Sequence, residues 1–250
     1  MSAFNFSTLL LEGPKFPSYN FISSATNQSK CFKINNKAIY LYHSNDLLIN
    51  NADNNDHTIK TAETVWDTSL ILSKYLEKQC DENKLNFKGK KVIEVGAGKS
   101  IPSLASYILG ASLVTITDVP SVIPEIKKII KLNGFENTNV FAKPLNWKDR
   151  KEHMSILINE GPWDYILAAD VVWVDYLIEH LVDTISELST PSHTTLFLGH
   201  QTRTTRSDEL LFDALEKHNW KIHKISRNEL NLAEGFWKDN VEIYQGKKFL

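Results

Sequence analysis

This sequence predicts an α/β protein built on a mostly parallel β-sheet, from three observations. From about Asp81 onward, short runs rich in β-branched residues alternate with amphipathic segments, the rhythm of β-α units. A glycine turn, Gly96-Ala97-Gly98, separates the first of these runs from the helical pattern after it. The last two strand-like runs have no convincing helical pattern between them, which predicts a terminal antiparallel pair.

Taken in order, residues 31–43 alternate about the polar Asn35-Asn36 pair and predict a small hairpin. Residues 50–57 are rich in Asn and Asp and read as a loop. An amphipathic helix is expected over 61–78, with Val65, Leu72 and Leu76 on one face and Thr61 or Thr64 as its N-cap. The strand Lys91-Val92-Ile93-Glu94-Val95 then runs into the glycine turn and a helix over 101–109, ended by Gly110. A second strand, Leu113-Val114-Thr115-Ile116-Thr117-Asp118, leads to a helix over 122–132 that stops at Asn133-Gly134, two residues that tolerate positive φ. A strand over 139–142 precedes the loop Leu145-Asn146-Trp147. Gly161-Pro162 marks a turn before a buried strand over 163–168, which ends at Ala169-Asp170. Helices over 176–188 and 207–218 flank a strand over 194–198, and strands over 220–225 and 241–246 close the chain. No internal repeat is present. The expected organisation is one domain, 61–250, preceded by an extension, 1–60, that carries the hairpin and the Asn-rich loop.

Composition narrows the function classes. The chain has 250 residues, 42% of them hydrophobic, with 28 basic and 30 acidic side chains and a net charge of -2. That balance lacks the positive field a phosphate-backbone binder needs, so direct nucleic-acid binding is not expected. No apolar run approaches the roughly 18 residues of a membrane-spanning helix. The short Leu9-Leu10-Leu11 run has no basic stretch ahead of it, so no secretory signal is expected and the cytoplasm or nucleus is the predicted location. Cys31 and Cys80 have no metal-type spacing and read as reduced structural thiols. The eight histidines form no ligand pair, and no metal is expected.

The glycine turn admits several ligands. Gly-x-Gly between a strand and a helix lets a ligand approach bare backbone, where side chains would collide with it. A P-loop would need its first glycine at position 93, where Ile93 continues a strand. A dinucleotide fold wants a third glycine at 101, where Ile101 would obstruct helix packing. S-adenosylmethionine needs only the turn and an acid for the ribose hydroxyls, and Asp118 ends the next strand. The acid alone does not separate this reading from the dinucleotide one, and a glycine pair that serves packing alone also remains.

From about Thr61 to its end the chain resembles the seven-strand class I methyltransferases, and more narrowly the family 16 group of methyltransferase-like protein-lysine methyltransferases. The resemblance is carried by Val65-Trp66-Asp67-Thr68-Ser69-Leu70, Val92 through Gly98, Thr117-Asp118, Leu145-Asn146-Trp147 and Ala168-Ala169-Asp170-Val171-Val172-Trp173, in that order. It implies a Rossmann-like sheet of seven strands, mostly parallel, with helices on both faces and an antiparallel C-terminal strand. It also implies S-adenosylmethionine as cofactor. Trp66 and Trp147 would border it, Gly96, Ala97 and Gly98 would pass beneath its amino-acid moiety, Asp118 would hold its ribose and Ala169 would line the pocket by its backbone. Three positions depart from the family pattern. Lys99-Ser100 replaces a small residue and a third glycine, Asn146 stands where Asp is common, and Trp173 stands where Tyr or Phe is usual. A branch resembling protein-arginine methyltransferases also carries Ser, an aliphatic residue and Pro, as in Ser100-Ile101-Pro102.

Asp170 is expected to contact an incoming amino group, because it follows a buried strand at the edge where open α/β sheets bind ligands. Trp173 is expected to offer a π-face to the same cation. An alternative for Asp170 is an N-cap of the next helix. Arg203 and Arg206, in the segment after the fifth strand of the domain, read either as contacts to acidic groups on a partner or as solvated charges. The resulting expectation is a monomeric methyltransferase acting on a lysine of a non-histone protein. Arginine methylation, a small-molecule N-methyltransferase and a non-enzymatic interaction protein on the same fold are the alternatives.

Overall fold

The computed structural model describes residues 30–41, 61–62, 64–230 and 240–250. Nine strands fall into two sheets among them. β1 (Lys30–Ile34) and β2 (Lys37–Leu41) form an antiparallel hairpin. β3 (Lys91–Val95), β4 (Leu113–Asp118), β5 (Val140–Pro144), β6 (Tyr165–Ala169), β7 (Thr195–Gln201), β8 (Trp220–Lys224) and β9 (Val241–Lys248) form the second sheet. Its order is β5-β4-β3-β6-β7-β9-β8. The pairs from β5 to β7 are parallel, while β9 runs antiparallel to both β7 and β8. The chain proceeds outward from β3 to β5 and then returns to pair β6 with β3. That reversal opens a crevice at the carboxyl ends of β3 and β6, where open α/β sheets place ligands.

Strand alternation sorts the core into two faces. Leu167, Ala169 and Phe197 pack with α1 (Asp67–Asp81), α2 (Ile101–Ile108) and α3 (Ile123–Leu132). Ile166, Ala168, Leu196 and Leu198 pack with α4 (Lys151–Glu160), α5 (Asp175–Leu188) and α6 (Thr205–Lys217). Both faces of the central strands are therefore apolar, as a parallel sheet covered on two sides requires.

The hairpin turns at Asn35 and Asn36, both at positive φ (44° and 60°), the conformation a two-residue turn of this twist demands. Phe32, Ile34, Ile39 and Leu41 are fully buried in the same core as α1–α3. Glu77 Oε1 on α1 accepts from Asn35 N at 2.6 Å, and Lys74 Nζ donates to Lys33 O. The expected Asn-rich loop, 50–57, lies outside the described residues. Cys80 is a free thiol, half-buried against the core, and burial pushes it up to about 11.

Three local expectations are corrected. The helix expected from Thr61 begins at Asp67: Trp66 is its N-cap, in extended backbone and without a side-chain capping bond, so neither Thr61 nor Thr64 caps it. α4 was not expected, because only Met154 and Leu157 of its ten residues are buried while Ile156 and Ile158 point outward, which blurs the 3.6-residue period. A four-residue helix, α7 (Arg227–Leu230), stands between the last two strands. Ser226 and Glu229 start it reciprocally: Ser226 Oγ accepts from Glu229 N, and Glu229 Oε2 accepts from Ser226 N. This is a capping box, readable as Ser-x-x-Glu. Among the described residues no helix is long and apolar enough to cross a membrane.

Candidate active site

A cavity of about 280 Å3 opens at the crevice, and the nine residues expected at the cofactor and acceptor sites line it: Trp66, Gly96, Ala97, Gly98, Asp118, Trp147, Ala169, Asp170 and Trp173. Its floor is the turn after β3. Gly96 has φ +64°, and a Cβ there would lie 2.8 Å from Trp147 Cζ2 and 2.9 Å from Val171 Cγ1. Gly98 has φ +47°, and its Cβ would approach Ala62 O at 3.2 Å. Only glycine suits both positions. Ser100, which stands where the resembled family pattern has a third glycine, takes φ +60° as the N-cap of α2, and its hydroxyl donates to Gly98 O. Its side chain thus sits in the left-handed region at a cost of about 1 kcal/mol.

Asp118 ties the turn to β4. Its Oδ2 accepts from Gly98 N at 2.8 Å and its Oδ1 from Val119 N at 2.7 Å. Burial raises its pKa and these two amides oppose the rise. A carboxylate oxygen offers about two acceptor sites, so each retains capacity after one backbone bond. Beneath the turn, Glu94 is fully buried and accepts from Ser103 N at 3.0 Å. Burial pushes Glu94 up to about 8, and its hydrogen bond to Ser103 opposes the rise.

The walls come from the loops after β5 and β6 and from the segment just before α1. Trp147 lies against Gly96, and Asn146 Oδ1 accepts from Lys148 N, a local turn that Asp would make equally well. Trp66 is fixed by its Nε1 donating to Thr61 O at 3.1 Å. The first turn of α1 can press close to β7 because Gly199 has no side chain: a Cβ there would meet Thr68 Cγ2 at 2.6 Å. Asp170 N donates to Gly199 O at 2.9 Å, which brings the end of β6 beside that same glycine.

Asp170 stands at φ +57° with its carboxyl group 1% exposed. Its Oδ2 accepts from Arg203 Nη2 at 2.9 Å, and its Oδ1 has no partner. Burial raises its pKa, and the Arg203 charge and hydrogen bond pull it back down. The Arg203 guanidinium also lies 5.1 Å from the centre of the Trp66 ring. Asp170 does not cap the helix after it: α5 has Val174 as N-cap, with no side-chain bond. Arg203 is therefore neither a solvated charge nor free for a partner, whereas Arg206 is exposed beside Asp175 at 3.2 Å. Sequence reasoning missed Tyr176 and Leu177, which line the rim from the first turn of α5, and the Arg203 pair. Tyr176 is 68% exposed and has Lys148 Nζ 5.5 Å from its ring.

A family model described as lysine methyltransferase matches residues 43–218. The chain belongs to the lysine methyltransferase family. Every residue lining the cavity falls inside the matched stretch, as does Arg203. EEF1A lysine methyltransferase 3 of Xenopus tropicalis is 32% identical over 168 residues, covering 67% of this chain and 70% of that protein. Protein N-lysine methyltransferase METTL21A of Danio rerio is 28% identical over 190 residues, covering 73% and 81% respectively. Among solved structures, magnesium protoporphyrin IX methyltransferase from Synechocystis with bound S-adenosylmethionine superposes with a TM-score of 0.51 at 14% identity, over 78% of this chain and 86% of that one. That likeness is one of fold. Lysine methyltransferases of this family are S-adenosylmethionine-dependent enzymes, and the sheet order above is the framework on which this chain builds its site.

Proposed function

We propose that this lysine methyltransferase binds S-adenosylmethionine in the cavity above the Gly96-Ala97-Gly98 turn and methylates a lysine of a non-histone protein presented at the rim formed by Trp66, Trp173 and Tyr176. The observation that carries the reading is the convergence of the glycine turn, Asp118 and two tryptophans on one cavity within the family match. The residues suit the donor. Gly96 and Gly98 hold the floor of the cavity at positive φ where its amino-acid moiety would lie, and Asp118 keeps acceptor capacity for a ribose diol. Trp147 and Trp66 offer apolar walls, and Ala169 lines the cavity with them. When bound, the donor supplies a sulfonium-activated methyl carbon for in-line displacement by an amine lone pair.

What remains for the protein is orientation and control of one proton. A lysine amine, with an ordinary pKa of about 10.4, costs about 4 kcal/mol to deprotonate at neutral pH. Trp66, Trp173 and Tyr176 lower that cost by replacing water around the amine, since burial disfavours the charged form. Asp170 Oδ1, buried without a partner, accepts an N–H of the amine and aims its lone pair. The product leaves as the methylammonium, so the one proton released per turnover is the one the lysine gives up to water before the attack.

EEF1A is the first substrate to test, because two of the relatives are named for it. Purified chain, tritiated donor and either purified EEF1A or a cell lysate should give a labelled band whose modified residue is lysine by mass spectrometry. Label on arginine, or label in dialysed, protease-treated extract alone, would overturn the protein-lysine reading. Asp170→Asn should lower turnover while leaving binding of S-adenosylhomocysteine intact by calorimetry.

A further inference from the structure

The pairing of Asp170 with Arg203 changes what an acceptor meets at the cavity. An ionised carboxylate alone would attract a lysine ammonium and then resist its deprotonation. Here that carboxylate already has a cation. Arg203 Nη2 donates to Oδ2 at 2.9 Å and the guanidinium lies 5.1 Å from the Trp66 ring, so one side chain contacts both the acid and an aromatic wall. Arg203 is not among the residues lining the cavity, so it meets Asp170 from outside it. It is also held firmly. His200 Nε2 and Thr202 Oγ1 bond the two oxygens of Asp208 at 2.7 and 2.8 Å, and Thr204 caps α6 through Ser207 N. The loop between β7 and α6 is thus pinned on either side of Arg203.

We propose that Arg203 is a positioning residue for methyl transfer: an internal counter-ion that fixes the Asp170 carboxylate with Oδ1 left for the substrate and cancels its charge, so that the pocket takes the neutral amine in preference to the ammonium. The inference rests on the reading of this cavity as the donor and acceptor site. The other ionisable groups bearing on Asp170 are His200, engaged with Asp208, and Asp67 in the first turn of α1. Neither makes a hydrogen bond to the carboxylate, so Arg203 is its direct counter-ion among the described residues.

The test is an equilibrium one that needs no protein substrate. Sinefungin, an analogue of the donor, carries a primary amine where the sulfonium carries its methyl group, and S-adenosylhomocysteine carries nothing there. Calorimetry at pH 8 gives the ratio of their dissociation constants. In the wild type the paired charges give the analogue's ammonium little advantage. In Arg203→Met the ammonium becomes the counter-ion of a buried carboxylate, and the ratio should shift about tenfold toward sinefungin. Arg203→Lys should restore the wild-type ratio. Unchanged affinity for S-adenosylhomocysteine shows that a variant has kept its fold, and Arg203→Gln serves if the Met variant does not. With the lysine substrate, the acid limb of kcat/KM should move to higher pH in Arg203→Met and return in Arg203→Lys. If the wild type binds both compounds and the ratio moves less than about twofold on substitution, the role of Arg203 is refuted while the donor site stands. If the wild type binds neither, the donor site falls and the inference with it.

Discussion

Gly96 and Glu94, two residues apart, constrain the site in opposite ways. A methyl group added at Gly96 would overlap both Trp147 and Val171 and would sit at φ +64°. Gly96→Ala is expected to cost about 2 kcal/mol of stability by overpacking and strain, and to weaken S-adenosylhomocysteine binding at least tenfold by calorimetry, because Trp147 must leave the cavity wall. Glu94 acts through its proton. Its pKa is pushed from 4.5 up to about 8, chiefly by burial. Between those two values the folded chain holds a proton that the unfolded chain has released, so stability falls as pH rises through that window. Glu94→Gln keeps an acceptor for Ser103 N and removes the titration. By linkage it should stabilise the protein by on the order of 4 kcal/mol at pH 8, roughly 10 °C in Tm, and by almost nothing at pH 4.5. Equal melting shifts at both pH values would show that Glu94 is ionised in the folded chain.

At the scale of elements, one side chain ties the second strand of the hairpin to α3. Asn133 ends α3; its Oδ1 accepts from Tyr40 N at 2.8 Å, and its Nδ2 donates to Tyr40 O and to Ile129 O. Gly134 takes the positive φ of the helix stop, which frees Asn133 to act as a surrogate strand residue for β2. Asn133→Ala should lower stability by about 1–2 kcal/mol in urea denaturation and leave donor affinity unchanged, since neither residue lines the cavity. The strands and most helices were legible because each carries a clean period: Ile166 through Ala169 alternate between the two cores, and Ile126, Ile129 and Ile130 mark one helical stripe. α4 carries no such stripe. The start of α1 was placed too early because Trp66 occupies the N-cap without any capping hydroxyl, so local chemistry gave no signal for the boundary.

In the whole molecule, the site is assembled from segments that only the sheet order brings together. The glycine turn and Asp118 are adjacent through the parallel register of β3 and β4, and their chemistry is visible in residues near one another in sequence. Trp66, Trp147 and Trp173 have no local mark that separates a pocket wall from a core residue, and a family pattern was needed to place them. The Asp170–Arg203 pair spans β6 and β7, where Ala169 lies opposite Gly199, and no sequence period connects its two members. A donor bound in the cavity would touch segments belonging to both sides of the reversal in strand order, so its binding energy is also folding energy. At about 100 times its dissociation constant, S-adenosylhomocysteine should contribute about 2.7 kcal/mol and raise Tm by roughly 5–10 °C. Asp118→Asn, which sets an amide against the amides of Gly98 and Val119, should lose most of that rise. Glu94→Gln should retain it, because Glu94 lies outside the cavity. A ligand-induced rise that survives Asp118→Asn unchanged would place the donor somewhere other than the crevice between β3 and β6.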